Sequence, residues 1–347
     1  MLFDLHPKES RTELFGRDEE VDYAVKQLLS GNWLIVGGQR EIGKTSLVKV
    51  SLNELRKRQG LKTVYVNLRG IRSLNGLLNS LLSQMNSLKI SIDVKVNFII
   101  GSAGVEVKKG AKAVSSLTEL LNSLSNFVLA LDEVQELSKV SKQLLDVLGN
   151  VFSTNPKVRF VFTGSYIGVM RTLLDPPSDS PLHGRPPAVL TLKAFDEGKA
   201  KEFLRRGMKE LHVEFHREEE VIQRLDGVVG WLTLFGNLHA SRGLGFDNAL
   251  RETVEQGKKI VAEEFRHFLE SKVNKELYVE TMRTVKVVSR WKEIKRGVEM
   301  ALGKIDDKVF SNVLESLVNS NFMEKRGNEY LITDPILREV EFEKLFY

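Results

Sequence analysis

Short apolar runs alternate with amphipathic stretches over roughly the first 195 residues of the chain. The runs are rich in Val, Ile, Leu and Phe, and apolar residues recur with helical spacing between them. This alternation predicts an α/β fold, in which a parallel sheet is buried between helices on both faces. The predicted strands are 33–37, 62–68, 127–132, 158–163 and 188–192, and the predicted helices are 45–58, 72–87, 115–125 and 137–152.

One segment of this region has a different period. From Ile90 to Val107, apolar residues occupy alternate positions on either side of the sequence Gly101-Ser102-Ala103-Gly104. Alternation around a glycine-rich turn predicts a β-hairpin inserted at about residues 89–109. An ordinary edge hairpin without a functional role is the alternative interpretation.

Beyond residue 195 the strand signals stop, and residues 196–272 predict amphipathic helices. The remaining residues predict three more helices, near 277–288, 292–301 and 307–320, and then a hairpin over 322–333 that turns at Gly327-Asn328. This order of elements is typical of a winged-helix domain. The predicted domains are therefore residues 1–195, 196–272 and 273–347.

Composition narrows the class of protein. The 347 residues are 42% hydrophobic and 28% charged, as in globular proteins, and they contain no cysteine, which excludes disulfides and thiolate metal sites. No long apolar segment or basic, apolar leader is visible, so we expect a cytoplasmic protein. The net charge of +5 permits a polyanionic partner without requiring one.

The junction between the first predicted strand and the next helix reads GGQREIGKTSL. A glycine, four residues and then Gly-Lys-Thr match the phosphate-binding loop, whose backbone N–H groups and helix N-terminus attract anions. In such a loop the lysine reaches the β- and γ-phosphates, and the threonine hydroxyl binds Mg²⁺. The candidate nucleotide contacts are Gly38, Gln39, Arg40, Glu41, Ile42, Gly43, Lys44, Thr45 and Ser46.

A second candidate motif ends the strand predicted at 127–132. Asp132 would hold Mg²⁺, directly or through water, and Glu133 would act as general base toward the attacking water. The alternative is that Asp132 and Glu133 simply begin the next turn and have no functional role.

The order of several motifs resembles the archaeal ATPase family, which belongs to the STAND branch of signalling NTPases and is related to AAA+ proteins. The motifs are Phe15-Gly16-Arg17-Asp18-Glu19-Glu20, the loop from Gly38 to Thr45, Leu131-Asp132-Glu133-Val134-Gln135-Glu136, Phe162-Thr163-Gly164-Ser165 and Pro181-Leu182-His183-Gly184-Arg185. The resemblance implies a P-loop ATPase core (AAA+/STAND-like), an α-helical lid and a winged helix. It also implies ATP or ADP and Mg²⁺ as cofactors.

The resemblance implies further roles for individual residues. Phe15, Gly16 and Arg17 would pack beside adenine and ribose, although they could equally form a simple turn before a helix. Thr163 or Ser165 would sense the γ-phosphate, unless Ser165 only caps the next helix. Arg185 would be an arginine finger that acts in cis or in trans, with an ordinary surface arginine as the alternative.

Around Trp231 the chain departs from the family pattern Gly-Gly-x-Pro-Gly-Trp-Leu. Asp226 stands where the family has its first glycine, and Val229 stands where it has proline. We therefore expect a looser turn here, with Trp231 in the core rather than at the nucleotide.

Basic residues cluster near the C-terminus, where duplex DNA could bind. The cluster consists of Arg283, Lys286, Arg290, Lys292, Lys295 and Arg296; a solvated helix face or a protein-docking surface would explain it as well.

Taken together, the motifs predict a slow Mg²⁺-dependent ATPase that acts as a conformational switch and is a monomer or a nucleotide-dependent oligomer. The alternative is a nucleotide-stabilised scaffold for DNA or protein with negligible turnover.

Overall fold

The computed structural model of the chain describes residues 1–58, 60–88, 109–164, 170, 173, 175, 176, 178, 180, 182–342 and 344. Apart from Lys109, the hairpin predicted at about 89–109 lies outside these residues, and so does Ser165. The chain divides into two compact units. We call Pro7–Gly37 with Lys44–Leu192 the sheet unit, and Met1–His6, Gly38–Gly43 and Lys193–Tyr347 the helical unit.

The sheet unit contains a five-stranded parallel sheet of order β2-β3-β4-β1-β5, as the apolar runs predicted. Its strands are β1 Leu34–Gly37, β2 Lys62–Asn67, β3 Phe127–Asp132, β4 Val158–Thr163 and β5 Ala188–Thr191. The helices among its described residues are α1 Asp18–Leu29, α2 Lys44–Arg56, α3 Leu74–Ser87, α4 Lys109–Ser123 and α5 Ser141–Thr154, with a 3₁₀ segment at Val134–Val140. The predicted α/β fold class is confirmed.

Helices cover both faces of this sheet. On one face, alternate strand residues such as Ile35, Leu129 and Phe160 share a core with apolar residues of α3, α4 and α5. The strand neighbours that point the other way, such as Leu34 and Val128, are equally buried. Burial on both faces is why these strands read as continuous apolar runs.

Helices make up most of the helical unit. They are α6 Glu197–Glu210, α7 Glu218–Leu225, α8 Val229–Gly236, α9 Phe246–Glu270, α10 Lys275–Val285, α11 Trp291–Leu302 and α12 Asp307–Asn319, with a π-helical turn at Asn237–Ser241. An antiparallel hairpin, β6 Met323–Arg326 and β7 Glu329–Ile332, follows α12, and a 3₁₀ turn spans Leu337–Glu339. Three helices and a hairpin therefore occur in the order predicted for residues 273–347, while the division into three domains stays a prediction. None of the helices in the described ranges is long and apolar enough to cross a membrane.

A buried hydrogen-bonded pair joins α8 to the segment after the hairpin. Trp231, only 1% exposed, donates its indole N–H to Oδ2 of Asp334 over 3.0 Å. Asp334 also accepts from the backbone N–H of Ile336 and Leu337. Burial raises the pKa of the Asp334 carboxyl, although these three hydrogen bonds oppose the shift. Trp231 is thus a core residue, as expected.

The turn before α8 is tighter than its sequence predicted. Asp226 has φ 54° and ψ −156°, a conformation that is essentially restricted to glycine. The reason lies in the next residue: the carbonyl of Gly227 accepts from the N–H of Phe195 over 2.8 Å, and a Cβ on Gly227 would lie 1.8 Å from the Phe195 oxygen. The close approach of two backbones fixes the turn, so the expectation of a looser turn at Asp226 is corrected.

Replacing the strained aspartate should therefore stabilise the protein. We expect Asp226→Gly to raise the free energy of unfolding by about 1 kcal/mol, since such strain costs about 1–3 kcal/mol and the added glycine flexibility costs about 0.5–1 kcal/mol. Urea unfolding followed by circular dichroism measures the change. The control is Lys209→Gly, at an exposed position in the last turn of α6, which should lose up to about 1 kcal/mol. A less stable Asp226→Gly protein would contradict the assignment of strain.

Candidate nucleotide-binding site

Candidate motifs occur at the carboxyl ends of three neighbouring strands. β4 lies between β1 and β3, and all three run in parallel, so their carboxyl ends meet at one edge of the sheet. The loop 38–43 follows β1, Asp132 ends β3 and Thr163 ends β4. This edge is where ligands bind in open parallel sheets.

The loop after β1 has the backbone of an anion cradle. Gly38, Glu41 and Gly43 have φ values of 133°, 57° and 92°, which turn successive peptide groups back on themselves. Ile42 is fully buried and anchors the loop, while Gln39, Arg40 and Glu41 are half-buried. α2 then begins at Lys44 with no acidic residue in its first turn, so the positive end of its dipole is not offset there.

Helix α2 presents three predicted contacts, Lys44, Thr45 and Ser46, in a half-buried first turn. Ser46 also accepts, at Oγ, a hydrogen bond from the N–H of Lys8 over 3.1 Å. This bond ties the segment before α1 to the start of α2. The next predicted contacts along that segment are Phe15 and Gly16, both half-buried, and Arg17, which is 6% exposed and bonds Glu20 over 2.8 Å.

Asp132 is the centre of a hydroxyl cluster at the sheet edge. Its Oδ2 accepts from Thr45 Oγ1 at 2.9 Å and from Tyr65 Oη at 2.6 Å, and its Oδ1 accepts from Thr163 Oγ1 and from the N–H of Glu133. The side chains come from α2, β2 and β4, and Asp132 is only 4% exposed. Carboxylate and hydroxyl oxygens of this kind are the ligands that suit Mg²⁺, so the residues present fit the predicted metal.

Sequence reasoning missed Tyr65. Burial, and then the charge of Asp132, raise the pKa of its phenol above the usual range, so the hydroxyl stays protonated and donates. The available signal was a tyrosine between two buried valines, Val64 and Val66, in a predicted strand.

Glu133 occupies a strained position directly after Asp132. Its backbone is left-handed, with φ 60° and ψ 44°, and its side chain is 31% exposed. Gln135 Nε2 donates to Glu133 Oε2 over 2.6 Å, and an Arg69 nitrogen lies 3.8 Å from Oε1. Strain of this kind tends to occur where a side chain must be aimed. Gln135 is a second residue that the sequence analysis missed.

Gln135 also contacts the end of β4. A Cβ placed on Gly164, where φ is 145°, would lie 2.0 Å from Gln135 Oε1. The glycine therefore allows the glutamine amide to fit between the Glu133 carboxylate and Gly164. The polar side chains at this edge of the sheet unit thus form two groups. One group surrounds the Asp132 carboxylate, and the other surrounds the Glu133 carboxylate.

Arg185 is exposed, and its described contacts lie on α5. It donates to Ser153 Oγ over 3.2 Å, and its guanidinium carbon lies 5.4 Å from the centre of the Phe152 ring. These contacts are those of a surface arginine, so its role as an arginine finger stays a prediction.

Within the helical unit, the loop 38–43 is held by α8 and α9. The carbonyl of Glu41 accepts from the N–H of Gly230 over 2.8 Å, and Arg40 lies 3.8 Å from Glu264. A Cβ on Gly230 would lie 2.7 Å from the Glu41 oxygen, so the two backbones approach as closely as glycine permits. Gly230 precedes Trp231, the core residue that bonds Asp334.

Three of the six side chains in the predicted basic cluster are engaged by other described residues. Arg283 pairs with Glu280, Lys295 pairs with both Glu299 and Asp307, and Lys286 donates to the carbonyl of Val340. Arg290, Lys292 and Arg296 are exposed, and no ion pair among the described residues includes them. The candidate DNA-binding surface is thus reduced to these three side chains.

The fold and these groups define a P-loop protein, and the comparisons agree. A family model described as an ATPase domain predominantly from Archaea matches residues 14–234. Because this match covers more than half of the chain, the protein belongs to that archaeal ATPase family. A search of curated proteins finds no match.

Solved structures support the same assignment. The Walker-type ATPase PABY2304 of Pyrococcus abyssi is 27% identical, with a TM-score of 0.78 over 98% of this chain and 99% of that one. The Aeropyrum pernix ORC2 protein, solved as ADPNP–ADP complexes, is 16% identical, with a TM-score of 0.60 over 99% of this chain and 95% of that one. Cdc6p from Pyrobaculum aerophilum is 13% identical, with a TM-score of 0.51 over 99% and 97%. The last two show a shared fold.

If the loop and α2 bind phosphate, Lys44 should contribute a charged contact. We expect Lys44→Ala to weaken ATP binding by about 1.5–3 kcal/mol, or roughly 10- to 100-fold, without unfolding the protein, because Lys44 is half-buried rather than in the core. Titration with a fluorescent ATP analogue measures the loss. Lys57→Ala, which removes an exposed charge just beyond α2, should bind as the wild type does. Unchanged affinity in a folded Lys44→Ala protein would contradict phosphate binding by this loop.

Proposed function

We propose that the protein binds ATP with Mg²⁺, hydrolyses it slowly, and uses the bound nucleotide as a conformational switch of the STAND type. One observation carries the enzymatic part: Glu133 follows the hydroxyl-saturated Asp132 and is aimed by Gln135 and Arg69. Membership of an ATPase family and likeness to a Walker-type ATPase support it.

In this proposal each group has a separate task. The backbone N–H groups of residues 38–43 and the Lys44 ammonium bind the phosphates, and Thr45 and Asp132 hold Mg²⁺. When bound, Mg²⁺ neutralises charge on the β- and γ-phosphates. Glu133 Oε accepts a proton from the water that attacks the γ-phosphate, and Thr163 orients that side of the site. Of the sensor candidates, Ser165 and Arg185 remain predictions.

The contacts of Glu133 offer a physical reason for slow turnover. Gln135 holds one carboxylate oxygen and Arg69 lies near the other, so these contacts set the orientation of the base toward the attacking water. An orientation that differs from the one proton transfer needs would slow hydrolysis and lengthen the ATP state, which is what a switch requires.

The contacts of the loop support the switching part. Glu41 and Arg40 lie within the phosphate loop and also touch Gly230 and Glu264. Any change in the loop backbone on binding or loss of the γ-phosphate would therefore bear on α8 and α9. Through Trp231 and Asp334, α8 contacts the segment after the C-terminal hairpin.

Duplex DNA is the second candidate partner, favoured by the three exposed cations Arg290, Lys292 and Arg296 on and before α11. Phosphate contacts of this kind are sequence-independent, and α12, with Lys308 beside Asp306, Asp307 and Glu315, offers little for reading bases. A protein-docking surface is the alternative.

A substitution of Glu133 distinguishes a slow ATPase from a scaffold with negligible turnover. Glu133→Gln keeps the shape of the side chain and removes the base, so we expect Mg-ATP to bind while turnover falls by roughly 10²-fold or more. Single-turnover hydrolysis of radiolabelled ATP measures this. The matched control is Glu136→Gln, three residues on, whose carboxylate lies near Arg72 and the N–H of Gly70 and has no proposed role in proton transfer. Equal rates in wild type and Glu133→Gln would replace the slow ATPase with the scaffold.

The DNA hypothesis predicts a salt dependence. Replacing Arg290, Lys292 and Arg296 with alanine should flatten the dependence of log affinity on log salt by up to about three units, roughly one per phosphate contact. Fluorescence anisotropy with a labelled duplex, in ADP and in a non-hydrolysable ATP analogue, measures it. The charge-matched control replaces Lys209, Lys259 and Arg266, which are exposed on α6 and α9. Absence of duplex binding at low salt in either nucleotide would favour protein docking.

A further inference from the structure

The Asp132 carboxylate accepts as many hydrogen bonds as it has lone-pair sites. An ionised carboxylate offers about four such sites on its two oxygens. Thr163 and the N–H of Glu133 occupy Oδ1, while Thr45 and Tyr65 occupy Oδ2. The bond from Tyr65, at 2.6 Å, has the length of a charge-assisted O–H···O⁻ bond. The loss of any donor would therefore leave a buried carboxylate incompletely satisfied.

A metal ion cannot coordinate this carboxylate directly unless it displaces one of these donors. Thr45 offers an alternative, because a hydroxyl that donates its proton to Asp132 still has lone pairs available for a cation. The arrangement therefore favours direct binding of the metal to Thr45 Oγ1, with Asp132 acting from behind the hydroxyl and through water.

We propose that Tyr65 is a positioning residue of the metal site: it fills the last acceptor site of Asp132, fixes the rotation of the carboxylate and keeps Thr45 directed for Mg²⁺. The inference rests on the proposed Mg-nucleotide function and adds a residue to it. Partners that orient metal ligands in this way usually contribute 10- to 100-fold to metal affinity.

The surroundings of Tyr65 hold its ring in place. The Lys49 ammonium lies 5.2 Å from the ring centre, within the range of a cation–π contact, and is itself paired with Glu9 at 2.9 Å. The backbone of β2 is fixed by its pairing with β3, where Asn67 lies opposite Asp132. The phenol thus reaches Asp132 from a strand and a side chain that are both restrained, as a positioning role requires.

The test compares Tyr65→Phe with wild type in nucleotide binding rather than in turnover. Affinity for a fluorescent ADP analogue is measured in EDTA and over a series of free Mg²⁺ concentrations. We expect the affinity in EDTA to stay within about twofold, while the Mg²⁺ concentration that gives half of the metal-dependent gain rises about tenfold. The matched control is Tyr23→Phe, which removes a hydroxyl on α1 that donates to the carbonyl of Val189 over 3.5 Å, and it should respond to Mg²⁺ as the wild type does.

Two other outcomes are possible, and they contradict the role of Tyr65 and the proposed metal site, respectively. A Tyr65→Phe protein with the wild-type Mg²⁺ response, or with equal losses in EDTA and in Mg²⁺, would show that the ring only fills space. Wild-type affinity that is itself independent of Mg²⁺ would defeat the metal part of the proposed function, and the inference with it.

A second measurement applies if Tyr65→Phe does not fold. The waters bound to Mn²⁺ in the ADP complex are counted by ¹⁷O broadening in wild type and in Asp132→Asn. Equal numbers are expected if Asp132 acts through water. One water fewer in the wild type would show direct coordination and overturn the inference.

Discussion

The architecture of the candidate site depends on one buried carboxylate and the hydroxyls that satisfy it. Asp132 is 4% exposed, and a charge in such a place is tolerated only when its oxygens are hydrogen-bonded. Thr45, Tyr65 and Thr163 provide those bonds from α2, β2 and β4. The order of strands is what makes this possible, because β3 lies between β2 and β4. The same contacts that satisfy the charge therefore fix the first turn of α2, where the predicted phosphate and metal ligands lie.

The phosphate loop is subject to a different constraint. Its conformation depends on positive φ values at Gly38, Glu41 and Gly43. A hydrogen bond from the N–H of Gly230 to the Glu41 carbonyl holds the middle of the loop in place. The close approach of α8 to this carbonyl is possible because Gly230 has no side chain. The strained turn at Asp226 sits just before α8, which is consistent with strain being retained where a helix must be placed against a functional loop.

The fold was readable from the sequence because its signals are local. Apolar runs identified all five strands, and the spacing of Gly38, Gly43, Lys44 and Thr45 identified the loop. Tyr65 and Gln135 were missed because their roles depend on strand order and on a side chain folding back over Gly164, which periodicity does not encode. The basic cluster was overestimated for a similar reason: the partners of Lys286 and Lys295 include Val340 and Asp307, which are distant in sequence.

The two adjacent carboxylates at the sheet edge differ in how firmly their orientation is fixed. The difference follows from their burial and their hydrogen bonds. Asp132 is buried and fully hydrogen-bonded, so its orientation cannot change without the loss of a bond. Glu133 is about a third exposed, and its described side-chain contacts are with the Gln135 amide and with Arg69 at 3.8 Å, which can be exchanged for water at small cost. In the proposed function, a fixed carboxylate at the metal beside an adjustable general base would suit phosphoryl transfer, because metal and phosphate must stay in place while a proton moves. The end of β4 contacts both residues, because Thr163 donates to Asp132 while Gly164 leaves room for Gln135, which donates to Glu133.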